Sequence, residues 1–464
     1  MEEDDVFDSV TWDTPADVRN NDTHTPLGQG TPVGLGFRLP SESDTGPRDP
    51  NEPKWEGYLV TAVQDPVKEL AETKDTYVSY LVSAKTNLSH FTNKNPSARR
   101  RYQDFRFLRE NIAKDFPACV VPPLPEKHRM EYITGDRFSA EFIERRRQDL
   151  ALFLERIGRH PVLQRATLVQ AFFESTEWSV KMHQHIAHPP GPEPSPSLLD
   201  NLSDSILNAF ARVRKPDERF LEMRENVDKF EEGIQGVDRL WMRSKTRVND
   251  LTSDYHDLAV AVQGLGFLES GITDPLNHFS NTLLEFSSIM RNCNDNTTEP
   301  FLNHLHSLLQ YSHTNRAVLK LRDQKQLDFE ELSAYLSSVV EERDRLAAIV
   351  SGRAGSSGLG LGSYIRDRVD ALRGADDDRS RVEKMRKLDI KIKELQDAVT
   401  TAHDTSDAFS DQTLSEQAVF QHAKEAEMKT MLTNLADGQI AAYKESMQEW
   451  DRIIPILQRI RVDV

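Results

Sequence analysis

From Phe220 to Leu265 the chain carries two interleaved apolar series, each repeating every seven residues. One runs Phe220, Val227, Ile234, Trp241, Val248, Tyr255, Val262; its companion runs Met223, Phe230, Val237, Ser244, Leu251, Leu258, Leu265. Thirteen of these fourteen positions are apolar, the mark of a long helix with a coiled-coil-like seam. Gly264, Gly266 and Gly271 predict its end, and Asp274-Pro275 reads as the cap and first-turn proline of a second helix. That helix carries Leu276, Phe279, Leu283, Phe286 and Met290 and continues towards Val350, with a kink expected at Pro300. The glycine-rich segment 352–362 and the charged stretch through Arg381 predict a tip. A third helix returns with Met385, Leu388, Ile392, Leu395 and Val399, and ends with Ile440, Tyr443, Met447, Trp450, Ile454 and Leu457. Seams this wide exceed what one chain's bundle needs, so residues 216–464 are expected to form an all-α dimer of three long kinked helices per chain.

The first half is built differently. Residues 1–52, rich in Asp, Thr, Pro and Gly, read as a disordered tail. Two β-branched and aromatic runs, Tyr58–Val63 and Asp75–Lys85, read as strands, and the residues leading into Arg101 as a third. A helix follows over 103–116 with Phe105, Leu108, Ile112 and Phe116 on one face. Two more helical patterns carry Phe138, Phe142, Leu150, Phe153, Leu154, Ile157 and then Leu168, Phe172, Phe173. Residues 53–178 are therefore expected to be an α+β domain, a three-stranded sheet plus helices. Residues 179–197 read as a proline-rich linker and 198–215 as an amphipathic helix with Leu198, Leu202, Ile206, Phe210 and Val213 on its apolar face.

Three cation-bearing stretches fall in the α+β domain: Arg99-Arg100-Arg101 running into Tyr102, the segment Val121–Lys127, and Arg145-Arg146-Arg147. The chain as a whole is acidic, with a formal charge of −17. A local basic pocket on an acidic chain suits one concentrated anion, such as a phosphorylated headgroup, and not a long polyanion such as nucleic acid. Cys119 and Cys293 are the only cysteines, too few for a disulfide framework, and point to a reducing cytosol. No run approaches the ~18–20 apolar residues that span a bilayer, so membrane contact is expected to be peripheral.

These residues resemble a known family. Arg-Arg-Tyr-x-x-Phe at 100–105, Val-Pro-x-x-Pro-x-Lys at 121–127 and Phe-Ile-Glu-Arg-Arg-Arg-x-x-Leu at 142–150 resemble the phox-homology (PX) domain. Residues 216–464 resemble a BAR domain, the crescent-shaped helical dimer that rides curved membranes. Together they resemble a PX–BAR sorting nexin, and Asp75–Val82 with Lys127–Ile133 look particular to one branch. The resemblance implies binding of phosphatidylinositol 3-phosphate. Arg101 would take the 3-phosphate with its planar fork, Tyr102 would floor the inositol ring, and Gln103 would meet the lipid through backbone or amide. Lys127 would reach the 1-phosphate and Arg146 would bridge ring hydroxyls. The resemblance also implies endosome-to-Golgi retrieval of SNARE cargo, selective autophagy (cytoplasm-to-vacuole transport, pexophagy, mitophagy) and pairing as homodimer or heterodimer. It places the protein in the cytoplasm and on early endosomes and the phagophore assembly site.

Blander readings stand beside these. Met130, Tyr132 and Ile133 form either a wedge entering the lipid interface or part of the core. The helix 198–213 either inserts into the membrane or packs between domains. Arg379, Arg381, Lys384, Arg386, Lys387, Lys391 and Lys393 would make the arm basic. His183, His185 and His188 lack a ligand pattern, and no nucleophile–base motif occurs, so neither metal, cofactor nor catalysis is expected. A PX-anchored coiled-coil scaffold without curvature activity is the alternative.

Overall fold

The computed structural model describes residues 57–70, 76–125, 139–188, 216–268, 271–350 and 363–458. The tail 1–52, residues 189–197, the helix expected at 198–215, the segment 352–362, Lys127, Met130, Tyr132 and Ile133 lie outside the described residues.

Strands β1 (Leu59–Glu69), β2 (Tyr77–Thr86) and β3 (Ser97–Arg101) form an antiparallel meander in that order. β1 outruns the expected Tyr58–Val63 segment. Its register with β2 breaks between Gln64 and Val67, where Asp65 adopts a left-handed φ of 45°, and pairing then resumes to Glu69. Pro66, which has no N–H to give the ladder, falls within this bulge. Helices α1 (Tyr102–Asp115), α2 (Ala140–Arg159), α3 (Thr167–Glu174) and α4 (Trp178–Ala187) cover the sheet. Phe105, Phe153, Phe172, Phe173 and Trp178 meet edge to face in the core. α4 corrects the reading of 179–197 as linker throughout. Buried Trp178 opens a helix that Met182 anchors on the core, and the prolines begin only at Pro189. α2 lies so close to β1 that a Cβ on Gly158 would stand 2.3 Å from the Leu59 carbonyl oxygen.

The second half folds as α5 (Glu218–Leu268), α6 (Thr273–Cys293), a π turn (Asn294–Thr298), α7 (Glu299–Val350) and α8 (Ser363–Leu457). Three sequence expectations shift. Gly264 and Gly266 sit inside α5, where buried Gly266 accepts a 2.8 Å bond from Thr273 Oγ1, and the helix ends at Leu268. Ile272, not Asp274, is the N-cap of α6, although Pro275 remains in its first turn. The charged residues up to Arg381 belong to α8 and not to a turn, as their helix-forming side chains allow. The expected interruption at Pro300 is real in position: proline offers no N–H to the Asn296 carbonyl, and the π turn immediately precedes it. α8 passes close to this turn at Gly438, where a Cβ would stand 2.4 Å from Thr297 Oγ1.

The two seam series of α5 have different fates. Phe220, Val227, Ile234 and Val262 are buried within the chain, with Trp241, Val248 and Tyr255 half-buried. In the companion series Met223 and Phe230 are half-covered, but Val237, Leu251, Leu258 and Leu265 are exposed. Near the same end of the bundle, where Trp450 packs with Ala259 and Val262, α8 exposes Tyr443, Met447 and Ile454.

Gly158→Ala should destabilise the chain by about 1–3 kcal/mol, because a backbone carbonyl cannot rotate out of the way. Urea unfolding will show a lowered midpoint at unchanged m; an unshifted midpoint would mean that α2 can lift off β1 freely.

Candidate functional site

The first arginine triplet lies on β3, and a strand turns successive side chains to opposite faces. Arg100 points inward. It is 4% exposed, donates to the carbonyls of Phe172 (3.0 Å) and Ser175 (2.6 Å), and lies over the Phe172 and Trp178 rings. Burial lowers its pKa to about 10, with Asp104 opposing the shift. Arg99 braces the β1 bulge, donating to Asp65 O (2.6 Å) and Ser79 Oγ (3.1 Å). Arg101 is left outward at the junction of β3 and α1. Its backbone N–H donates to Asp104 Oδ2 (2.9 Å), and its Nε stands 3.6 Å from the same carboxylate. Its guanidinium lies 5.8 Å from the Tyr77 ring centroid, half exposed.

The second triplet divides similarly around α2. Arg147 pairs with Glu144 (2.6 Å) and donates to Val63 O (2.8 Å), tying α2 to the sheet. Arg145 pairs with Glu141 on its own helix and stands 3.8 Å from Glu299 at the start of α7. Arg146 lies over two rings, 4.6 Å from the Tyr102 centroid and 4.4 Å from that of Phe142. The Tyr102 hydroxyl donates to Pro125 O (3.0 Å), joining α1 to the proline segment. Burial raises the Tyr102 pKa, against the lowering effect of Arg146. The structure thus brings Tyr102 and Arg146 into contact, sets Arg101 next to Tyr102 in sequence, and leaves Gln103 exposed in the first turn of α1. The arrangement offers an aromatic ring with a guanidinium packed on it and a second, half-exposed guanidinium on the preceding residue, chemistry suited to an anionic ring-shaped headgroup.

The domain stands on the helical body through two buried carboxylates of α8. Glu427 accepts from Arg156 Nη2 (2.5 Å) and faces His304 Nε2 (2.6 Å); Arg156 also donates to Ser307 Oγ (3.0 Å) and lies 4.7 Å over the Tyr311 ring. Burial pushes the Glu427 carboxyl upward, but Arg156 and His304 outweigh it and hold the group at about 2. Glu416 accepts from Val120 N–H (2.8 Å) and meets His160 Nε2 (2.9 Å). Val120 itself packs with Tyr311, Val318 and Phe420.

Cys119, His160 and Glu416 place three ligand-type atoms within 4.8 Å of one another. His160 Nδ1 accepts from the backbone N–H groups of Val162 (3.2 Å) and Leu163 (3.1 Å), so its proton resides on Nε2 and is donated to Glu416. Burial and Glu416 both raise the Cys119 pKa. Through Glu416, His160 and the Val120 amide the group makes a hydrogen-bonded latch between α8 and the PX domain. Of the linker histidines, His183 donates to Ser179 O (2.7 Å) and His185 meets Asp115 (3.2 Å). The arm cations Lys384, Lys387 and Lys391 meet Glu342, Glu383 and the Tyr335 hydroxyl. No described helix is long and apolar enough to cross a membrane.

Comparison with known proteins agrees with this architecture. A family model described as PX domain matches residues 88–176. The chain is similar to sorting nexin-4 of Cryptococcus neoformans var. neoformans serotype D, at 57% identity over 93% of this chain and 87% of that one. Sorting nexin-4 of Emericella nidulans is 37% identical over 98% of this chain and 97% of its own. Among solved structures, the SNX-BAR protein Mvp1, determined as a tetramer by cryo-EM, shares the fold at a TM-score of 0.52 and 16% identity. That alignment covers 85% of this chain and 99% of Mvp1.

Glu427→Gln leaves the Arg156 cation buried against a neutral amide, and should cost about 3–5 kcal/mol at neutral pH. The carboxyl titrates at about 2 folded against an ordinary 4.5. Its stabilisation is therefore fully present above pH about 4.5 and is lost as pH falls towards 2. Denaturation curves of wild type and variant should converge over that window. A gap that stays constant with pH rejects the ion pair as its cause.

Proposed function

The chain belongs to the sorting nexin-4 family of PX–BAR sorting nexins, and from that premise we propose that it reads phosphatidylinositol 3-phosphate and membrane curvature together. PX–BAR sorting nexins are non-catalytic membrane-trafficking proteins, and the general role extends to this member. The observation that carries the finer reading is the division of labour among the six clustered arginines. Arg99, Arg100, Arg145 and Arg147 tie strands and helices together, Arg146 packs on the Tyr102 ring, and Arg101 adjoins Tyr102 in the chain with its guanidinium half exposed. In this reading Arg101 takes the 3-phosphate by a bidentate fork, Tyr102 supports the inositol ring, Arg146 meets its hydroxyls and Gln103 contacts the lipid from the first turn. Lys127 takes the 1-phosphate, and Met130, Tyr132 and Ile133 enter the lipid interface beside it.

The exposed half of the α5 seam, with Met447 and Ile454 of α8, supports assembly with a second PX–BAR chain, identical or related. Two weak membrane signals on one dimer multiply through effective concentration. We place the protein on early endosomes and the phagophore assembly site, recruited from the cytoplasm. There it serves retrieval of SNARE cargo towards the Golgi and selective autophagy, including cytoplasm-to-vacuole transport, pexophagy and mitophagy. The helix expected at 198–215 would add an insertion wedge.

Arg101→Ala should abolish sedimentation with vesicles containing phosphatidylinositol 3-phosphate while keeping the wild-type Tm, since hydrogen bonds to a charged group are worth about 1.5–3 kcal/mol each. Arg100→Ala should lower the Tm instead. Varying vesicle lipid and diameter independently separates the two signals: binding indifferent to the inositide isomer sinks the lipid reading, and binding indifferent to diameter favours the scaffold. Met447→Glu should weaken self-association at least about ten-fold in analytical ultracentrifugation, from the cost of burying an unpaired charge. An unaltered sedimentation profile would assign association to another face.

A further inference from the structure

A second cationic feature, anchored on residues other than Arg101 and Arg146, lies between the PX domain and the helical body. One face of α1 presents Tyr102, Arg106 and Arg109, and one face of α7 presents Gln310, His313 and Thr314 across from it. They enclose a cleft of about 430 Å³, within the range of small-molecule sites. Pro123, Leu124, Pro125 and Ala317 supply its apolar walls. Both helical sets follow the three-to-four residue spacing of a single face, so the cleft exists only when the two domains are docked.

Its charges are unequally satisfied. Arg106 pairs with Glu110 at 2.7 Å, which neutralises both. The Arg109 Nε donates to Pro122 O (3.2 Å), but among the described residues its two terminal nitrogens donate to nothing. Arg109 is half-buried, and its pKa is lowered by burial, with Glu110 and Tyr102 offsetting this only in part. His313 is 3.7 Å from Glu231 and lines the opposite wall. A desolvated guanidinium with a free fork, facing a cleft lined by an amide, an imidazole and a hydroxyl, has the chemistry of an oxyanion site.

We propose that this interdomain cleft is a second anion site that takes one phosphate monoester, with the Arg109 fork as its anchor and Gln310 and His313 as donors from the helical body. It goes beyond the inositide reading and does not depend on it. Tyr102 is a wall of both sites, so an occupant here abuts the floor of the first.

The full chain is titrated with inorganic phosphate and with glycerol 3-phosphate by calorimetry, and in parallel with phosphatidylcholine vesicles with and without phosphatidic acid. Wild type should bind the soluble phosphates saturably, with a dissociation constant on the order of 1 mM. Arg109→Gln should weaken this at least about ten-fold, as loss of charge-assisted bonds implies. Gln310→Ala and His313→Ala, which leave the PX fold untouched, should each weaken it several-fold, and Arg101→Ala should leave it unchanged. Arg109-dependent preference for phosphatidic acid vesicles over the soluble phosphates assigns a lipid source; the reverse assigns a soluble one. Absence of Arg109-dependent binding in both arms, or loss in Arg101→Ala with Arg109→Gln and His313→Ala unaffected, overturns the proposal.

Discussion

Two buried carboxylates on one helix decide how the PX domain stands on the helical body. Each would cost several kcal/mol to desolvate if left unmet. Glu427 is met by Arg156 and His304, and Glu416 by His160 and the Val120 amide. Arg156 comes from α2, the helix that also carries Arg146 over Tyr102, and His160 caps the end of that helix. Arg156, which grips the helical body, and Arg146, proposed to face the headgroup, thus share one rigid rod. A fixed angle between pocket and helices follows from the ion pairs, without any need for a stiff linker.

Much of this was legible from residue order. The strand pair, the apolar face of α1, the seam of α5 and the interruption at Pro300 all follow from periodicity and turn chemistry. The resemblance of the Arg-Arg-Tyr and Arg-Arg-Arg segments pointed to the candidate site. What periodicity misses is partner choice across long separations. Nothing local marks Arg156 for Glu427, although a cation between buried Phe153 and Ile157 already signals a charge that must find an anion. The glycines of α5 misled for a related reason. Helix propensity is a weak prior, and tertiary contact at Gly266 outweighs it. Trp178 likewise extends the domain past the position where composition alone places a linker.

The arginine triplets show why a charge cluster should be divided before it is assigned a ligand. Strand alternation sends Arg100 inward and Arg99 and Arg101 outward. Helical rotation sends Arg145 towards α7, Arg146 over Tyr102 and Arg147 to β1. Each triplet places two cations that secure the fold beside one proposed to meet a headgroup. A neutralisation of the whole cluster would confuse unfolding with loss of recognition.

Glu416, Glu427 and Gly438 are spaced eleven residues apart along α8. Eleven residues make close to three turns, about 16 Å of rise, so the three fall along one stripe. Two of them hold the PX domain and the third admits the π turn at Thr297. The helix therefore works as a graduated ruler, and it tolerates exchange of side chains far better than a change of length. Inserting or deleting one residue between 416 and 438 would rotate everything beyond it by about 100° and put one mark out of register with the others. Among descendants of this chain, variation in length should accumulate in its loops and be purged from this interval.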